Sequence, residues 1–197
     1  MSSLTASADR PVFIDTVLPR RMATDVALVA GGALFTGLLA QVAIPLWPVP
    51  ITGQTLAVLL VGSSLGLARG ALSLTLYVVL GVVGVPWFSE WSGGPATLLG
   101  PTGGYILGFI LAAGLIGWLA ERGGDRHVLR AVATFLVGTV SVFAIGLPWL
   151  AISLGTDLQQ TLEFGLYPFI IGGVVKAVVA AITMPLAWRL LARRPQP

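Results

Sequence analysis

Cysteine is absent from this chain of 197 residues, lysine and histidine occur once each, and charged residues make up only 10%. The first absence removes disulfides and thiolate metal sites. With a single histidine, His127, and no carboxylate pair or histidine cluster, the chain lacks the usual parts of a metal site or a proton-transfer centre. A soluble domain carries about 25% charged residues, so an ordinary globular domain is excluded as well. Nucleic-acid binding also drops out: net charge is only +3, and the arginines flank apolar runs instead of forming a patch.

Apolar sequence is what remains: hydrophobic residues reach 56% and mean hydropathy is +0.93. That is enough for about six spans of roughly 20 residues with short loops, and it leaves no room for a second, soluble domain. The expected fold is all-α, a polytopic membrane bundle of six transmembrane helices. A polar tail at 1–22 precedes one domain at 23–191, and a short tail follows at 192–197. The tail holds Asp9 and Asp15, and no short apolar stretch with a cleavage site follows it, so it reads as cytoplasmic and not as a signal peptide.

Arginine sets the orientation. Arg10, Arg20 and Arg21 precede the first run, and Arg69 separates the second from the third. Arg122, Arg126 and Arg130 lie between the fourth and fifth, and Arg189, Arg193 and Arg194 close the sixth. The opposite loops carry Glu90, Asp157 and Glu163 and no basic residue. This asymmetry predicts both termini on the cytoplasmic side of a prokaryotic inner membrane, with the arginines against anionic lipid. The expected spans are about 23–40, 52–68, 71–85, 103–119, 132–154 and 168–191. A proline-rich loop at 41–50 and a longer loop at 86–102, packed over the bundle mouth, face outward.

Lys176, the only lysine, falls inside the last span, about 15 Å from its outer end. An ammonium at that depth costs a few kcal/mol, so it snorkels, pairs, or holds an anion; Glu90, Asp157 and Glu163 are its available resting partners. Gly100-Pro-Thr-Gly-Gly-Tyr105 opens the fourth span. Gly103 and Gly104 there permit close backbone approach, of a ligand or of a neighbouring helix. No Lys-Ser/Thr follows those glycines, so this is not a nucleotide loop. Thr52, Gln54 and Thr55 bring hydroxyl and amide groups to the start of the second span, for a polar small molecule or for interhelical bonding. Trp47, Trp87, Phe88 and Trp91 sit at the outer boundary, where aromatics anchor spans or line pockets. Ala23, Ala27 and Gly31 repeat every fourth position and make a flat stripe for close helix approach. His127 reads as a solvated loop residue. Gly62-Ser-Ser-Leu-Gly66 has no histidine at depth to pair with, which argues against an intramembrane enzyme.

Several of these segments, in order, resemble the BioY family, the biotin-binding S components of energy-coupling-factor (ECF) vitamin transporters. The residues carrying the resemblance are Pro48-Val-Pro-Ile-Thr-Gly-Gln-Thr-Leu-Ala-Val58, Leu76-Tyr77, Gly84-Val-Pro-Trp-Phe88, Gly100-Pro-Thr-Gly-Gly-Tyr105 and Pro168-Phe-Ile-Ile-Gly-Gly-Val-Val-Lys176. The resemblance implies a six-helix S-component fold with a vitamin site near the outer face. It also implies coupling to a transmembrane T component and ABC-type ATPase subunits, docked through an Ala-x-x-x-Ala motif met here by Ala23 and Ala27. No cofactor is implied; biotin is the transported ligand. Lys176 would meet its carboxylate. Thr52, Gln54, Tyr105 and nearby backbone at Gly103 and Gly104 would meet its ureido ring, and Tyr77, Trp87 and Phe88 its apolar parts, with Glu90 as a partner of Lys176. One departure stands out: the family reads Gly-Asp-x-x-Lys on the last span, and here the acidic position is Gly173. The alternatives are an S component for another small vitamin, an intramembrane enzyme, and a scaffold subunit without a small-molecule ligand. Self-association stays open.

Overall fold

The computed structural model describes residues 11–192; Asp9, Arg10, Arg193 and Arg194 lie outside them. The elements, in chain order, are α1 (Met22–Ala40), β1 (Ala43–Ile44), β2 (Ile51–Thr52), α2 (Gln54–Val83), α3 (Pro95–Leu99), α4 (Gly103–Ala120), α5 (Val128–Leu154), α6 (Leu158–Gly165) and α7 (Tyr167–Ala192). Among the described residues, α1, α2, α4, α5 and α7 are long and apolar enough to cross a membrane.

The second and third expected spans are two helical arms, together α2, that fold back on each other. Gly66 divides them with φ 84° and ψ −177°, a conformation essentially confined to glycine. A straight helix would hold Gln54 and Tyr77 about 35 Å apart, yet the Gln54 amide is 2.6 Å from the Tyr77 hydroxyl. The arms touch at Gly62 and Gly70, where a Cβ on Gly70 would stand 3.2 Å from the Gly62 Cα. The first arm, 54–65, is only about 18 Å long, well short of a hydrocarbon core of about 30 Å. Its start is therefore recessed into the bundle, beneath the loop 41–53.

α4 is the central helix: 67% of its residues are buried, against 22% over the most apolar 18 residues of α1 at the periphery. Glycine lets its neighbours approach. A Cβ on Gly117 would collide with the Gly66 backbone, and one on Gly108 would stand 3.0 Å from the Val142 carbonyl.

The loops are more structured than the sequence indicated. Residues 41–53 contain a two-residue antiparallel ladder, Ala43 opposite Thr52 and Ile44 opposite Ile51. Residues 86–102 contain a 3-10 turn, Ser89–Trp91, and α3. An unanticipated α6 follows Asp157, whose carboxylate caps it by accepting from the Gln160 N–H at 2.8 Å. At the opposite, arginine-bearing end, the tail is not free. Val12 is 2% exposed, Phe13 meets Trp188 edge-on at 5.6 Å, and Asp15 and Asp25 both pair with Arg69, at 2.7 and 3.0 Å.

Candidate binding site

The short first arm of α2 ends within the bundle, and its recessed start makes the floor of a cavity. Thr52, Gln54 and Thr55 come from that start; Thr102, Tyr105, Ile106 and Phe109 from the head of α4; Thr139, Val142 and Phe143 from α5; and Phe169, Gly173 and Lys176 from α7. Val49, Pro50 and Ser89 close it from the two loops above. On α7 the lining residues fall at i, i+4 and i+7, one helix face.

Lys176 is its one charged lining residue. The ammonium donates to the Thr52 carbonyl at 2.6 Å and to Thr55 Oγ1 at 3.0 Å. Two of its three protons are thereby used, and one is left for the cavity. The N-terminal, positive end of the α2 dipole adds positive potential beside it. This floor suits an anion, a carboxylate above all.

Gln54, 5% exposed, is held from both sides. Its Nε2 donates to Tyr77 Oη at 2.6 Å, and its Oε1 accepts from Thr52 Oγ1 at 2.7 Å. The backbone settles which way the amide points. Tyr77 Oη donates its only proton to the Trp87 carbonyl, so it must accept from the amide N–H, which leaves the amide oxygen for the Thr52 hydroxyl; Thr52 Oγ1 also accepts the Gln54 backbone N–H at 3.3 Å. One N–H and one lone pair of the Gln54 amide remain, a donor beside an acceptor.

The upper wall is aromatic. Tyr105 stacks on Phe169 at 6.2 Å and meets Phe143 edge-on at 6.0 Å. Its hydroxyl donates to the Gly165 carbonyl at 2.9 Å, so Tyr105 offers the cavity mainly its ring. The whole encloses about 60 Å³, narrow beside the 300–1,000 Å³ or so of most small-molecule pockets.

Lys176, Thr52, Gln54 and Tyr105 are thus brought together, and the other expected site residues are not. Glu90 is exposed, with φ 57°, and makes no ion pair with Lys176. Its loop points it outward, and the Thr52 carbonyl takes its place. Asp157 is a helix cap, and Glu163 accepts from Gln159 at 3.0 Å. Gly103 and Gly104 face the interior for packing, not ligand: side chains there would run into the Leu98 carbonyl and into Trp149. Tyr77 and Phe88, both fully buried, and Trp87 form a layer behind Gln54 and do not line the cavity. Ser89, Thr102, Phe109, Thr139, Phe143 and Phe169 do line it and were missed. One helical turn from Tyr105 and from Lys176 lie Phe109 and Gly173, and a second turn from Lys176 lies Phe169. Ala23, Ala27 and Gly31 are exposed on α1, with open space beyond Gly31.

Comparison with known proteins bears on this cavity. The model of the BioY family matches residues 9–193. "Probable biotin transporter BioY" of Pyrococcus horikoshii is 39% identical over 160 residues, 81% of this chain and 93% of the relative. "Biotin transporter BioY" of Thermotoga maritima is 38% identical over 152 residues, 76% and 88% of the two chains. Among solved structures, the S-component for biotin from an ECF-type ABC transporter superposes with a TM-score of 0.76 at 26% identity, covering 87% of this chain and 93% of that one.

Proposed function

The chain belongs to the BioY family, and from that premise we propose that it is the biotin-capturing S component of an ECF transporter. Biotin enters from the outer face, and its carboxylate accepts a hydrogen bond from the third N–H of the Lys176 ammonium. Its ureido group meets the donor and acceptor left on Gln54, and its thiophane ring and chain lie on Tyr105, Phe143 and Phe169. The observation that carries this reading is the convergence of one ammonium, one oriented amide and an aromatic wall on a single cavity. With Gly173 at the family's acidic position, the ligand carboxylate is the counter-ion of Lys176.

The two arms of α2 count as two crossings, so the chain crosses the cytoplasmic membrane six times, with its arginine-bearing end and both termini inside. It bears no nucleotide motif, and energy comes from a transmembrane T component and ATPase subunits. The flat stripe of Ala23 and Ala27 docks that T component.

The test is equilibrium binding of labelled biotin to the purified chain, with a panel of other vitamins as competitors. Saturable binding in the nanomolar to low-micromolar range, about 8 to 12 kcal/mol, is expected, with biotin the best competitor. Displacement by another vitamin and not by biotin would keep the S-component fold and change its ligand.

A further inference from the structure

One side chain just beyond α1, Gln41, bonds to both ends of the turn that closes the cavity. Gln41 Nε2 donates to the carbonyls of Trp87 at 3.2 Å and Phe88 at 3.0 Å, and lies 3.0 Å from that of Gly37. Its Oε1 accepts the Trp91 N–H at 3.0 Å. One amide thus ties both ends of the 3-10 turn Ser89–Trp91. That turn is strained: Glu90 and Trp91 have φ 57° and 56°, in the left-handed region that non-glycine residues avoid. Ser89, in the same turn, lines the cavity. One turn back on α1, Gly37 makes the seat for Trp87, where a Cβ would stand 3.2 Å from the indole.

The Trp87 carbonyl is a junction. It accepts from Gln41 and also from Tyr77 Oη at 3.2 Å, and Tyr77 Oη accepts from Gln54. A chain of hydrogen bonds runs without a gap from Thr52 and Gln54 in the cavity wall to the pinned turn.

We propose that Gln41 is a positioning residue for ligand retention: by pinning the 87–91 turn against its own strain, it sets how fast the cavity releases its ligand. The proposal rests on the cavity being the biotin site. A cavity of about 60 Å³ must widen to pass a bicyclic ligand. The helices are packed against one another through glycine. The turn is strained at Glu90 and Trp91; its Trp87–Phe88 side is also held by Tyr77 and by the burial of Phe88, whereas the Trp91 N–H at its far end is held by Gln41. The turn is the part of the wall that gives.

The experiment uses the full chain in lipid nanodiscs and follows association and dissociation of labelled biotin. Gln41→Met keeps the length of the side chain and loses every bond of the pin; Gln41→Glu keeps the acceptor and loses the donors. Both should speed release by about tenfold or more while association changes less than about threefold. Tyr77→Phe removes the other bond to the Trp87 carbonyl, so combining it with Gln41→Met should speed release by less than the product of the single effects. Release within about twofold of the parent in both Gln41 variants overturns the proposal, as does a fully multiplicative double variant. If the parent chain binds no biotin, the ligand reading fails. Hydrogen exchange of residues 86–92 in the ligand-free protein then decides the pin: faster exchange in Gln41→Met supports it and unchanged exchange overturns it.

Discussion

The ammonium of Lys176 stands 2.6 Å from the carbonyl oxygen of Thr52, at the recessed start of the short arm of α2. A backbone oxygen cannot neutralise it, so the lysine is placed but not paired. Replacing it by methionine keeps most of the apolar stem. Lys176→Met should weaken biotin binding roughly 30- to 150-fold, or about 2–3 kcal/mol for a charged hydrogen bond. Biotin amide, which lacks the negative charge, should bind parent and variant within about threefold of each other. Calorimetric titration of both ligands reads this directly, and equal loss for acid and amide would move the anchor elsewhere.

Gly104 of the expected site and Gly173 of the cavity wall should respond in opposite ways to the same substitution. A Cβ on Gly104 would collide with the Trp149 side chain and stand 2.9 Å from the Ile145 carbonyl, where α4 meets α5. Gly104→Ala should therefore cost about 1–3 kcal/mol through overpacking. At Gly173 a Cβ meets nothing within 4 Å. Gly173→Ala should leave stability unchanged or raise it by up to about 1 kcal/mol, because alanine favours the helix. Thermal melting in detergent separates the two, and a destabilised Gly173→Ala would contradict the open wall.

Gly66 carries the reversal of α2. Its conformation is open to glycine alone, and a Cβ would also stand 2.6 Å from the Glu121 carboxylate that accepts the Leu67 N–H at 2.9 Å. Gly66→Ala should lose about 3 kcal/mol or more from backbone strain and the broken cap together. The measurement is folded yield and melting temperature beside Gly31→Ala, whose Cβ would enter open space. Equal behaviour of the two variants would mean the kink relaxes at little cost.

Chain reversal, cavity floor and wall differ in how far the sequence revealed them. Arg69 between two apolar runs marked the reversal at Gly66 within a few residues, because charge and glycine are local signals. Lys176 and the group Thr52, Gln54 and Thr55 were legible because a polar side chain at membrane depth needs a reason. Trp87 and Phe88 were misjudged because an aromatic at a span end looks the same whether it faces ligand, lipid or a buried tyrosine. Glu90 was misjudged because charge complementarity to Lys176 carries no direction, and two left-handed residues turn the carboxylate outward. The aromatic wall was invisible for a different reason. Phe109, Phe143 and Phe169 belong to three helices, and in a chain apolar on every face, periodicity does not tell a lining residue from a lipid-facing one.

Asp125 should make the stability of the fold depend on pH. It lies between α4 and α5, outside the spans, and is fully buried. Its Oδ2 accepts from Trp188 Nε1 at 2.8 Å, while Oδ1 and the neighbouring Arg126 Nε have no partner among the described residues. Burial raises its pKa above the ordinary 3.8, opposed by the Trp188 bond, its own backbone and the charge of Arg126. An acid whose pKa is higher in the folded state contributes stability that is full below the unfolded value and is lost as pH rises through the folded one. Stability should therefore decline with rising pH above the ordinary carboxylate range. Asp125→Asn keeps an acceptor for Trp188 and cannot ionise. Parent and variant should melt alike at about pH 4, and the variant should melt higher at about pH 8. Asp125→Ala removes the acceptor as well and should melt below Asp125→Asn at both, by about 1–3 kcal/mol for the stranded indole N–H. Parallel melting profiles for the parent and Asp125→Asn would assign the pH dependence to another group.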